Sequence, residues 1–129
     1  METPAPTAGA TGDTMLTIDD YHRTVGFIAG NLRHICRGGF IRSAEGLREA
    51  AEHAVQMSRC FHNPDNAIKV LGFSGNADAA EDALGWSGLV AGCHSFDEMV
   101  HRKAYYALLA DVEALLVDIH FDEVADASA

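Results

Sequence analysis

The sequence predicts an all-α protein: a single-domain, compact bundle of four to five helices with a disordered N-terminal tail. Three observations predict it. Apolar side chains recur at alternating spacings of three and four along several segments, most of these segments open on a helix-capping signal, and no stretch alternates as a half-buried strand does. The 129 residues fit one domain, because two domains of half that length would each bury too little surface to be stable.

The first helix opens at Thr17-Ile18-Asp19-Asp20, where the Thr hydroxyl accepts the Asp20 amide and the acids meet the positive end of the helix dipole. Ile18, Tyr21, Val25, Ile28, Leu32 and Ile35 then line one face, and Gly38-Gly39 supplies a left-handed stop. Gly26 and Gly30 fall inside this helix, each costing about 1 kcal/mol relative to Ala, and are expected to lie under a second, closely packed helix. Ser43 caps a helix running to about Phe61, with Leu47, Ala50, Ala54, Met57 and Phe61 as its apolar stripe.

Asn63-Pro64-Asp65 starts a short helix to about Leu71, with Asn as cap and Pro where its missing N–H costs nothing. Gly72 to Asn76 is the turn into a glycine-diluted helix from Ala77 to about Ala91. Ser95-Phe96-Asp97-Glu98 reads as a capping box opening a last helix that runs to about His120. Its stripe of Tyr105, Leu108, Val112, Leu115 and Ile119, widened by Tyr106, Leu109 and Leu116, marks the central member of a bundle. Residues 1–16 read as a flexible tail, 17–121 as the helical domain and 122–129 as an acidic flexible tail.

The net charge of −10 disfavours direct contact with nucleic acid or anionic membrane. The charge is uneven. Six arginines meet five acids between Ile18 and Phe61, whereas twelve acids meet only Lys69, Arg102 and Lys103 from His62 onward. No apolar run approaches the roughly 20 residues of a membrane span, and residues 1–14 lack the basic and apolar blocks of a secretory signal. With three cysteines, an odd number, these features predict reduced thiols and a cytoplasmic location.

Each cysteine has a histidine within two residues: His34 with Cys36, Cys60 with His62, and Cys93 with His94. Thiolate and imidazole are preferred Zn²⁺ ligands, so convergence of the three pairs would make a metal site. The Cys-x2-Cys knuckles of structural zinc sites are missing, however, so the expectation is buried thiols beside surface imidazoles and no cofactor. The Glu98-x2-His101 pair has the spacing of a di-iron bundle but stands alone, and Glu49 and His53 form a helix-surface pair. No nucleophile elbow or phosphate loop is present, which predicts a protein that is not an enzyme.

A chain of this kind is expected to act by macromolecular interaction, its negative field steering it to a basic surface on a protein partner. Asp78, Glu81, Asp82, Asp111, Glu113 and Asp118 on the two later helices are the candidate acidic surface. Small acidic inhibitors, immunity proteins and anti-CRISPR proteins share this profile by composition alone. Arg33 and Arg37, one turn apart, form a cationic stripe with Arg23 and Arg42 nearby. The acidic second half is their expected internal partner; left unpaired, they would grip a carboxylate-rich or phosphate-rich partner. Two alternatives stand beside this reading: a self-associating helical module that forms a homo-oligomer, and a Cys/His metal-binding sensor or enzyme.

Overall fold

A computed structural model describes residues 16–61, 63–85, 88 and 90–121. The expected tails lie outside the described residues except for Leu16, whose side chain is buried in the core. Among the described residues the chain is all-helical. It comprises α1 (Ile18–Arg37), α2 (Ala44–Gln56), a 3-10 turn (Arg59–Phe61), α3 (Pro64–Phe73), α4 (Ala77–Leu84) and α5 (Phe96–Ala114).

Four of the five described helices open on a side-chain cap, and α4, which follows Asn76, opens without one. Thr17 Oγ1 accepts the Asp20 amide at 3.1 Å while Asp20 accepts the Thr17 amide at 3.3 Å, closing the capping box of α1. Ser43 caps α2 by accepting the Gly46 amide. Asn63 caps α3 by accepting the Asp65 amide at 2.8 Å. At α5, Ser95 accepts the Glu98 amide, but the Glu98 carboxylate reaches one residue further back, to the His94 amide at 2.9 Å. The expected box is therefore displaced by one residue.

Three helix ends differ from expectation. α2 stops at Gln56 because the buried Ser58 hydroxyl accepts the Cys60 amide at 3.0 Å, offering the backbone a local alternative to the helix. α4 stops at Leu84, short of Ala91, because Gly85 takes φ +75°, a left-handed conformation that ends a helix. α5 ends at Ala114, and its continuation tightens into turns in which the Leu116 amide bonds to Glu113 and the Ile119 amide to Leu116. α3, by contrast, runs two residues past Leu71, to Phe73.

α5 is the central member, packing against the four other described helices, while α1 also packs on α2 and α3. Val100, Ala104, Ala107, Leu108, Leu109 and Val112 bury α5 over much of its circumference. Leu115, assigned by spacing to the stripe, is instead about half exposed, because the helix has ended before it. Tyr21, Val25, Ile28 and Leu32 form the buried face of α1 as the spacing predicts, although Ile18 is exposed. α2 presents Ala51 and Val55 to the core, one position round from the expected stripe, which leaves Met57 70 % exposed.

The glycine face of α1 is the clearest correction. Gly26 and Gly30 are exposed, and a Cβ added at either would meet nothing within 4 Å, so no described helix packs over them.

Candidate functional site

A wide concavity lies between α1 and α2. It is a groove of about 860 Å³ with the apolar side chains of Ile28, Leu32, Ile35, Ala50 and Ala54 in its lining. On α1 the lining recurs at Asp20, Arg23, Thr24, Phe27, Asn31 and Ile35, the three-and-four spacing of a helix face set beside the core face. On α2 it recurs at Ala50, His53, Ala54 and Met57. Phe27 is 72 % exposed within it, although it is one of the largest apolar side chains in the protein.

The small side chains of Ala50 and Ala54 leave room, while Phe27 and Met57 supply apolar surface that the fold does not cover. The charged lining is Asp20, Arg23 and Arg59 with His53. Arg23 reaches Asp20 at 3.5 Å, an exposed pair of little energetic weight. The groove is thus locally basic in an acidic chain. Nothing in the sequence pattern marks it as a site. The signal it does leave is Phe27, a large aromatic beside the core stripe and not on it.

The six acids proposed as a surface divide. Asp111 accepts hydrogen bonds from the Tyr21 hydroxyl and the Asn76 amide group. Glu113 pairs with Arg48 at 3.5 Å, Glu81 with Lys103, and Asp118 with Arg33 at 2.9 Å. Asp78 and Asp82 are exposed on α4. The acids of the second half thus neutralise cations of the same chain at three of the six positions, a fourth meets neutral donors, and they do not form one open surface.

The cationic stripe is partly paired. Arg33 donates to both oxygens of Asp118 and to the Leu115 carbonyl. The guanidinium holds the Asp118 carboxyl below the usual carboxylate range, and Asp118 raises Arg33 in turn. Arg37 is exposed and makes no ion pair among the described residues.

Among the described residues, no group of three or more His, Cys, Asp and Glu side chains is placed to hold a metal ion. Cys60 is buried, while Cys36 and Cys93 are half-buried, and none is in a disulfide. Burial pushes the Cys36 thiol up, against the opposing effect of Arg33, so it is a poor nucleophile. His34 and His94 are exposed, and His62 lies outside the described residues. Glu98 pairs with Arg102 besides its capping bond, and His101 Nδ1 lies 2.8 Å from the Asp97 carbonyl. No described helix is long and apolar enough to cross a membrane.

Comparison with protein-family models, with curated proteins and with solved structures found no match to this chain.

Proposed function

We propose that this protein is a binding module that acts by macromolecular interaction, receiving an amphipathic helix of a protein partner in the groove between α1 and α2. One observation carries the reading: Phe27 and Met57 are 72 % and 70 % exposed on the two sides of one apolar groove. Burying side chains of this size is worth up to about 1.5–3 kcal/mol each, a contribution that offsets part of the cost of association and makes these two residues natural anchors. From Asp20 to Ile35 the α1 wall spans roughly 22 Å at 1.5 Å per residue, the length of a helix of about four turns. The occupant's chemistry follows from charge. Arg23, Arg59 and His53 at the lining, set against the single acid Asp20, favour a helix whose apolar anchors recur at three and four and whose flanks carry Asp and Glu.

Fluorescence titration of the full chain with synthetic helical peptides tests this, using one set with acidic flanks and a second with the same anchors and basic flanks. Saturable binding of the acidic set, lost in Phe27→Asp/Met57→Asp, supports the reading. Equal binding of both sets, or binding that survives the double variant, overturns it. Sedimentation of the protein alone provides the remaining arm: a dimer that dissociates in Phe27→Asp would give the groove to a second copy and end the partner-helix reading.

The exposed pair Asp78 and Asp82 favours a second reading, in which α4 steers the protein to a basic surface as small acidic inhibitors do. In that case Asp78→Asn/Asp82→Asn slows association with the partner and weakens its salt dependence, while groove variants leave both unchanged.

A further inference from the structure

We infer that a second site, independent of the groove, lies between the end of α1 and the segment after α5, and that it binds a small phosphate-bearing molecule. The hollow measures about 350 Å³, and Arg33, Arg37, Arg42 and His120 line it together with Ile41 and Phe121. Residues far apart in sequence build it. The last turn of α1 supplies two arginines, the loop into α2 returns Arg42 beside them, and the chain beyond α5 closes the third side.

The three arginines have different roles. Arg33 is committed, its guanidinium fixed by the two Asp118 oxygens at 3.0 and 2.9 Å. Arg37 and Arg42 are exposed, and neither has an ion pair or a side-chain hydrogen bond among the described residues. Arg23, Arg33, Arg48, Arg102 and Lys103 find carboxylates, and of the four cations without an ion pair among the described residues, Arg37 and Arg42 share this hollow while Arg59 and Lys69 lie outside it. Two positive charges with no ion pair among the described residues therefore face one concavity of a protein whose net charge is −10.

The C-terminal end of α1 opposes an anion, but weakly. A helix end carries the equivalent of about half a negative charge, against two full charges from Arg37 and Arg42. Its terminal carbonyls are also engaged already, His34 by the Gly38 amide, Ile35 by Phe40 and Cys36 by Gly39. Guanidinium forks match phosphate oxygens, and a doubly charged phosphate balances two arginines where a single carboxylate leaves one over. Ile41, Ile119 and Phe121 provide apolar lining for the rest of such a molecule.

The test is calorimetric titration of the full chain with pyrophosphate, and separately with acetate, at low ionic strength, where surface charge is least screened. The expected result is saturable one-to-one binding of pyrophosphate only, weakened roughly tenfold or more in Arg37→Gln/Arg42→Gln. Both substitutions are at exposed positions, and an unchanged circular dichroism spectrum confirms that the fold is retained. Alkylation of Cys36, mapped by mass spectrometry, should slow when pyrophosphate is bound, since its thiol shares the hollow. Non-saturating heat, equal response to acetate, or affinity unchanged in the double variant would overturn the inference. Because Phe27→Asp/Met57→Asp leaves this hollow intact, pyrophosphate binding in that variant separates the two sites: each stands or falls by its own substitutions.

Discussion

The Tyr21 hydroxyl donates to the Asp111 carboxylate, tying the first turns of α1 to α5 across 90 residues of sequence. Tyr21 is 1 % exposed and packs its ring beside Phe73 of α3, so one side chain joins three helices. Asp111 also accepts from Asn76 at the start of α4, so the Tyr21–Asp111 pair together connects four helices. A carboxylate facing the core is tolerated here because two donors meet it.

Tyr21→Phe keeps the ring and removes only the donor. A hydrogen bond to a charged group contributes about 1.5–3 kcal/mol, so the urea midpoint should fall by that amount divided by the slope, and the slope itself should be unchanged. A loss below about 0.5 kcal/mol would show that the Asn76 contact alone satisfies Asp111.

High pH should destabilise the protein through its tyrosines. Burial, with the charge of Glu52, pushes the Tyr105 phenol up to about 12, and burial and the Asp111 bond push Tyr21 still higher. An unfolded tyrosine titrates near 10. Above about pH 10 the unfolded chain therefore releases protons that the folded chain retains, and stability falls as pH rises. Thermal unfolding from pH 9 to pH 12 should show that decline, and Tyr105→Phe should flatten part of it. An identical slope in the variant would exclude Tyr105 as a contributor.

Much of the fold is legible because helix starts are chemical signals. Thr17 with Asp20, Ser43, Asn63 with Pro64, and Ser95 each satisfy orphan amides locally, and local contacts depend on few other residues. Helix ends are less legible. The stop at Gln56 depends on Ser58 being buried, a property the whole fold confers. The one-position rotation of the α2 stripe has a similar origin, since Leu47, Ala50 and Ala54 are apolar enough to suit either face. The candidate site was hardest to read. Phe27 is exposed only because α2 lies where it does, and pairs such as Arg33 with Asp118 join residues 85 apart.

Gly26→Ala and Gly30→Ala should each stabilise the protein. Both positions are helical with open space where a methyl group would project, so the substitution restricts the unfolded chain without a steric penalty. The expected gain is about 0.5–1 kcal/mol per site, readable as a higher melting temperature, and the two should add if they act independently. A loss at either position would mean that a second molecule approaches that face and needs the glycine.

The contrast between Leu108 and Phe27 separates residues that hold the fold from residues available for binding. Leu108 is fully buried at the centre of the bundle, and Leu108→Ala should cost about 2–5 kcal/mol through lost burial and the cavity left behind. Phe27 is as apolar but 72 % exposed, and Met57 is 70 % exposed, so neither draws comparable stability from folding. Phe27→Ser and Met57→Ser should each change stability by no more than about 0.5 kcal/mol, the usual range for surface substitutions. An acid-flanked helical peptide docking at the groove should nevertheless lose most of its affinity in either variant, because the anchors that bury its apolar face are gone. Denaturant unfolding and peptide titration on the same preparations give both numbers. Stability lost together with affinity would make Phe27 a structural residue and remove the groove's claim to a function.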